Sequence, residues 1–552
     1  MLPYSIYNID ICKEVPEAWK YIKVLYFIFL SYSLTMVFSA IYIQYLQNRN
    51  IEKSEETNKE IEGLHLYIGN IERTEEPIYI TEKGLYQNIL ITGTIGTGKT
   101  SSSMYPFTKQ LIEYEANCID KKIGMLILDV KGNFYKQVKI YAKEAGRLED
   151  LIIIDIEGSA NYNPLNKPNL NPMVLANRLK TILTLFSPNT TENFWLDKVE
   201  QILGECIKLC RLYNNGYVNF VELHKLINSE GYYKEKLGIL REIFQSGKMD
   251  YKDVYNLSSA INFFENEFTK LDDRTLAILK SEITRITNTF ITDFNILKTF
   301  CPEKDEITFD GFKEVIEKGK IVVLNMNIAE YKNLAKIIAA YLKLDFQSEI
   351  LNQLSNSERP PKTTAFICDE FHEYVTSTDS EFFAQSRESK SINIVATQSY
   401  TSLLNTLHQE ASVKVIVQNL INKIWYRTDD SFTVEDIQKQ IGKEDKSKTS
   451  RTISENAQET SYNYFTNSLS SKKSNLSESI NTYVQSDFIY DTKFFTQELQ
   501  TFSCLAFLSD GNKILKPQKL QMIPHFLINQ KSQMDQKGEK DKKSGKNKYK
   551  II

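Results

Sequence analysis

Hydrophobic positions change their spacing along the chain, and each change predicts a different kind of element. Residues 24–43, VLYFIFLSYSLTMVFSAIYI, hold no charge over 20 positions. A helix of that length spans ~30 Å, the thickness of a bilayer's hydrocarbon core. Tyr21, Tyr26, Tyr42 and Tyr45 lie near its ends, where amphipathic rings favour the interface. Lys20 and Lys23 precede it, as they would in a secretory signal. No small-x-small cleavage site closes the apolar run, so the pattern reads as a retained anchor.

From residue 88 the pattern becomes α/β. NILIT (88–92), IGMLILD (123–129), LIIID (151–155), KIVVLNM (320–326), TAFICD (364–369), INIVAT (392–397) and INKIWYR (421–427) are short apolar runs separated by helical patterns. Near-continuous apolar strands of this kind belong to a parallel sheet covered by helices on both faces. Between about 185 and 300 the spacing becomes helical throughout, as in TENFWLDKVEQILGECIKLCRLY, which predicts a helical block inserted into the α/β core. Residues 444–490 are rich in Ser, Asn and Lys and poor in branched apolar residues, which predicts a flexible segment. FTQELQTFSCLAFLSDGNKILKP then predicts a helix followed by a strand pair, and a lysine-rich tail, expected to be disordered, follows.

Composition adds little to this picture. The formal net charge of −3 gives no bulk signal for nucleic acid, although a local patch inside a neutral total is compatible with DNA handling. Seven cysteines without metal-ligand spacing fit a reducing compartment, and Cys206 and Cys210 sit in an apolar helical pattern as core thiols.

The chemistry is carried by a few stretches. Gly93, Thr94, Ile95, Gly96, Thr97, Gly98, Lys99 and Thr100 fit G-x-x-x-x-G-K-T after a predicted strand and before a predicted helix, with Ser101 following. Backbone N–H groups of such a loop curl around phosphates at a helix N-terminus. Lys99 is expected to reach the β- and γ-phosphates of ATP, and Thr100 to place its hydroxyl on Mg²⁺. Asp369 ends the apolar run TAFIC, which puts its carboxylate at the C-terminal edge of a strand as a metal ligand. Glu370 follows it as the general base for an attacking water. The acidic pair favours NTP hydrolysis, and nothing resembles a guanine-reading N-K-x-D. HEYVT (372–376) begins like a zinc-protease helix, but Thr376 stands where the second histidine is required. Gln398, at the end of another predicted strand, is placed to sense the γ-phosphate or position water, with Ser399 beside it. Arg387, a few residues before that strand, is a candidate finger into a neighbouring subunit's site.

Taken together, GTIGTGKT after NILI, LILDVKGNF (126–134), YNPL (162–165), ENFW (192–195), ICDEF, SRESKSINIVATQS (386–399) and the C-terminal FTQELQTFSCLAFLSDGNKILKP resemble the type IV secretion and conjugation coupling proteins. These form the TraG/TraD family within the FtsK/HerA-like P-loop ATPases, and the resemblance covers residues 20 to 525. It implies a RecA-like P-loop core with an inserted all-alpha domain, beside the one N-terminal transmembrane helix expected at 24–43. It also implies a ring, expected to be a hexamer, at the inner face of the cell membrane, with the ATPase domain cytoplasmic. The implied activity is ATP hydrolysis with Mg²⁺. The implied partners are single-stranded DNA with its relaxase, the type IV secretion channel proteins and membrane lipid. It assigns Arg387 as the finger acting in trans and Gln398 as the glutamine of the same segment, and it brings Asp129 and Lys131 near the site without a defined role. Many members have two membrane helices around a small exported domain, whereas one helix is visible here.

The resulting domain reading is an N-terminal arm and anchor (1–50), a nucleotide-binding domain in two parts (51–185 and 306–443) and an all-alpha insert (186–305). The flexible segment (444–490), the closing helix and strands (491–528) and the tail (529–552) follow. Two other functions share these motifs: a coupling ATPase for protein effectors only, and a HerA/FtsK-like double-stranded DNA translocase.

Overall fold

The computed structural model describes residues 63–186, 193–355, 360–455, 460–466, 468–471 and 476–527, together with 24–25, 27–36 and 38. The chain divides into two units, Met1–Gly63 and Leu64–Ile552. In the first, the described residues of 24–38 are helical. The rest of the expected anchor, 24–43, lies outside the described residues, as does the tail 529–552. Among the described residues no helix is long and apolar enough to cross a membrane.

The second unit is built on one mixed sheet. Its strands are β1 (His65–Ile71), β2 (Pro77–Thr81), β3 (Ile89–Thr92), β4 (Gly124–Leu128), β5 (Leu151–Ile154), β6 (Ile321–Leu324), β7 (Thr364–Cys368), β8 (Ser391–Thr397), β9 (Asn422–Trp425), and, after an excursion described below, β14 (Ser503–Phe507) and β15 (Gln518–Gln521). They lie in the order β2-β1-β15-β14-β9-β3-β8-β7-β4-β6-β5. From β9 to β5 every pairing is parallel. All seven apolar runs expected as parallel strands are parallel strands. Every residue of β3, β4, β6, β7, β8 and β9 is buried, because helices cover both faces. The other four strands are antiparallel and extend the sheet beyond β9. Of these, β1 and β2 were not expected from the sequence; both are half-exposed, and their register slips between Tyr67 and Gly69.

Helices Tyr105–Glu113 and Phe134–Glu144 pack on one face of the sheet, sharing a core with Ile91, Ile127 and Ile367. On the other face a long helix, Asn333–Ser355, is apolar on nearly every side and therefore buried. It joins the core of Leu90, Leu126 and Phe366 to seven α-helices among the described residues between Pro172 and Phe300. Their starts are written in the sequence as short polar caps. Asn171, Asn219, Asp250, Asp272 and Asp293 each accept a backbone N–H of the first turn. Such a cap contributes ~1 kcal/mol.

The helix Asn333–Ser355 also explains YNPL. Asp345 is fully buried and accepts hydrogen bonds from Tyr162 Oη (2.7 Å) and Arg178 Nη1 (2.7 Å), with Lys167 Nζ at 3.0 Å. Burial alone would raise its carboxyl pKa, but Lys167, Arg178 and Tyr162 outweigh it and hold it below the usual range. Tyr341 Oη donates to the Pro164 carbonyl (2.8 Å), and Asn163 Nδ2 to the Val218 carbonyl (2.8 Å). The motif is thus a strap tying the first half of the core to the central helix and to the helical block.

Residues 444–490, expected from composition to be a flexible segment, hold paired strands among the described residues. β10 (Lys443–Glu455) pairs antiparallel with β13 (Leu476–Phe488) along its whole length, and the shorter β11 (Thr460–Asn463) and β12 (Ser468–Ser471) pair between them. A two-stranded ribbon has no core to advertise it in an apolar pattern. Lys448–Asp487 (2.9 Å) and Arg451–Glu478 link its strands as exposed ion pairs.

Candidate nucleotide site

β3 delivers the chain to Gly93 at the C-terminal edge of the sheet. The loop turns there and enters a π-helical turn, Thr100–Met104, that continues as the helix Tyr105–Glu113. Two glycines are required by contact. A Cβ on Gly93 would meet Tyr426 Cβ at 2.5 Å, and one on Gly98 would meet the Phe502 ring at 2.5 Å. Gly98 also has φ of +98°, which an L side chain resists. The loop is braced from outside: Thr94 N donates to the Arg427 carbonyl (2.9 Å), and Phe502 N to the Thr97 carbonyl (3.1 Å). Tyr426 Oη shares hydrogen bonds with Ser102 Oγ (2.8 Å) and Ser103 Oγ (2.6 Å). Tyr426 and Phe502 were not anticipated from the sequence, since both meet the loop from far along the chain. Within the loop Ile95 is exposed, Thr97 Oγ1 donates to the Thr94 carbonyl (2.8 Å), and Ser101 Oγ to that of Gly98 (3.2 Å). Lys99, 6% exposed, turns its ammonium onto the carbonyls of Gly93 and, at 3.2 Å, Thr94; burial lowers its pKa.

β7 ends facing this loop. Thr100 Oγ1 donates to Asp369 Oδ2 (2.8 Å), joining residues 269 apart in sequence. Asp369 is 1% exposed, and its other oxygen accepts from Glu370 N (3.0 Å). Burial, then the charges of Glu370 and Asp129, push its carboxyl up to about 6. The paired hydroxyl and carboxylate form an all-oxygen donor set of the type that suits Mg²⁺. Glu370 adopts a left-handed backbone, φ 50° and ψ 48°, which costs a non-glycine residue ~1–2 kcal/mol. Its Oε2 is buried and has no hydrogen-bond donor among the described residues; His372 Nδ1 lies 3.7 Å away, and burial lowers the pKa of that imidazole. A strained carboxylate holding an unused acceptor beside a phosphate loop is able to take a proton.

β8 lies between β3 and β7, so the half-buried Gln398 at its end falls at the same sheet edge as the loop and Asp369. Ser399 is a helix cap, its Oγ accepting from Ser402 N (3.1 Å). Arg387 is not brought into this site. It is exposed and precedes β8, at the N-terminal edge of the sheet; a strand of seven residues separates that edge from Gln398 by ~23 Å. Asp129 accepts N–H bonds from Lys131, Asn133 and Phe134, so it fastens the turn into the helix Phe134–Glu144. The Lys131 charge is felt by both Lys99 and Asp369.

Thr376, at the position where a zinc protease needs histidine, serves the fold. It bonds to Lys343 Nζ (3.0 Å) and Asp379, and Lys343 also donates to Asp379 and to the Tyr374 carbonyl (2.7 Å). Lys343 and Asp379 are wholly buried and pin the segment after Glu370 to the central helix. Replacing Lys343 by Met strands the Asp379 charge and is expected to cost ~3–5 kcal/mol in urea unfolding. Adding Asp379→Leu should recover much of that loss.

A phosphate loop on one strand, an acidic pair on the next strand but one, and a polar residue on the strand between define a RecA-like P-loop NTPase. Residues 363–481 match the family described as the TraM recognition site of TraD and TraG. The fold is similar to that of the bacterial conjugative coupling protein TrwBdeltaN70, unbound monoclinic form. The TM-score is 0.53 at 11% identity, over 82% of this chain and 88% of that one. It is likewise similar to the plasmid coupling protein TrwB in complex with ADP and Mg²⁺, with TM-score 0.52 and 12% identity over 83% and 89% of the two chains. TrwB with the non-hydrolysable GTP analogue GDPNP gives TM-score 0.52 and 12% identity over 82% and 89%. No curated protein matches the chain significantly. The matched segment resembles that family over residues 363–481, and the fold of the chain is shared with these coupling-protein structures.

Proposed function

We propose that the chain is a membrane-anchored ATPase that brings a relaxase–DNA complex to a type IV secretion channel and drives or gates DNA transfer by ATP hydrolysis. The observation that carries this reading is the contact of Thr100 with Asp369 beside an unpartnered, strained Glu370. Lys99 exchanges the carbonyls of Gly93 and Thr94 for the β- and γ-phosphates. Thr100 and Asp369 hold Mg²⁺, which offsets phosphate charge when bound. Glu370 takes the proton of the attacking water, and Gln398 orients that water or reads the γ-phosphate. Arg387 serves a neighbouring subunit in a ring, expected to be a hexamer, which accords with its exposure and its place at the far sheet edge. The helical block (186–305) faces cargo, and residues 24–43 anchor the chain in the inner membrane.

Metal binding needs the ionised Asp369, whose carboxyl titrates at about 6. Protonation below that value competes with Mg²⁺, so Mg²⁺-dependent ATP affinity should fall by ~tenfold per pH unit below that point and stay level above it. Fluorescent-nucleotide titration at several pH values checks this, and Asp369→Asn should flatten the profile. The functional test is ATP turnover with and without single-stranded DNA: several-fold stimulation supports a DNA motor, and none refutes it.

A further inference from the structure

Between helices Glu410–Asn419 and Ser431–Ile441, where β9 begins, lies a cavity of about 500 Å³ that the nucleotide chemistry does not use. Val417 and Phe507 give it an apolar wall, and Lys414, Lys423, Lys439 and Asp436 supply its charges. Two of the lysines are already engaged: Lys414 with Glu410 (2.6 Å) and Lys439 with Glu435 (3.4 Å), both on the exposed rim. Lys423 differs. It is a strand residue only 2% exposed, set between Leu90 on β3 and Phe507 on β14, and no acceptor among the described residues bonds its ammonium. Nor is that nitrogen among the sealed-in polar atoms, so it looks into the cavity.

A buried ammonium without an acceptor is costly, and the cost is relieved by an anion entering the same space. The wall beside it rewards an apolar body on that anion. We infer that this cavity is a binding site for a carboxylate carried on an apolar body, held by Lys423. That group is either a free organic acid or an acidic side chain flanked by apolar residues on a docked partner. Asp436 faces the same space and disfavours dianions, which argues for a single carboxylate over a phosphate.

Burial lowers the Lys423 pKa to about 8, partly offset by Asp436, so the ammonium that binds the anion is lost above that pH. The cavity's other titratable groups are Lys414, Asp436 and Lys439. The two rim lysines are paired with glutamates.

The test uses the full chain in detergent, titrated calorimetrically with octanoate, with octanol as the neutral control, and with a peptide carrying Glu between two Leu residues. Octanoate or the peptide should bind saturably, octanol should bind at least ~tenfold more weakly, and Lys423→Met should lose at least ~tenfold in affinity with ATP turnover unchanged. In the unsubstituted chain the affinity should fall by ~tenfold per pH unit above the Lys423 pKa, a readout that does not depend on a variant folding. Binding of octanoate alone assigns a free acid, and binding of the peptide alone assigns a partner's side chain. No saturable binding of either probe up to ~10 mM, equal binding by Lys423→Met, or a flat pH profile would overturn the inference.

Discussion

Lys99→Ala is expected to reduce ATP turnover by at least ~10²–10³-fold and to weaken ATP binding as well. The side chain is nearly buried, and its ammonium is held by two carbonyls of the loop itself, Gly93 and Thr94. That arrangement keeps a desolvated positive charge where the proposed function places the β- and γ-phosphates, and alanine removes the charge. The fold should survive, because Thr94 remains tied to Arg427 and the following turn to Tyr426. Steady-state hydrolysis and nucleotide titration, run beside thermal unfolding, check the three parts of this expectation. A variant that binds ATP normally would show that the loop's backbone N–H groups suffice.

Glu370→Gln should separate chemistry from binding. The glutamine keeps the size and leaves the Asp369 carboxylate and its Thr100 contact in place. It removes the charge of a carboxylate whose buried Oε2 meets no donor among the described residues. Turnover is expected to fall ~10²–10⁴-fold with ATP affinity nearly unchanged, the signature of a lost general base. Single-turnover hydrolysis by the variant measures this directly. A parallel loss of affinity would instead make Glu370 a ligand-binding residue.

How much of this was legible beforehand follows from where the information sits. The seven parallel strands were visible because burial on both faces leaves runs such as GMLIL and IVVL with almost no polar interruption. β1 and β2 were not, because half-exposed strands alternate and the register slip between Tyr67 and Gly69 breaks the alternation. The ribbon from β10 to β13 escaped for the opposite reason: its residues are polar, and pairing rather than burial holds them. In the site, Gly93 to Ser101 and Asp369–Glu370 could be read because each group is contiguous. Tyr426 could not, since its bond to Ser102 spans 324 residues and no local pattern encodes it. The buried Lys343–Asp379 pair was hidden in the same way, inside a helix that otherwise reads as plain core. Arg387 was a candidate from its place shortly before β8, strengthened by family resemblance, and it stands exposed at the sheet edge opposite the loop.

The claim at the centre is that hydrolysis at this loop moves DNA through a secretion channel. Plasmid transfer between cells, with relaxase nicking of the donor plasmid followed in parallel, tests it most directly. With Glu370→Gln as the only copy of the chain, transfer is expected to fall by several orders of magnitude while nicking and membrane association persist. Transfer at the unsubstituted frequency would contradict the account.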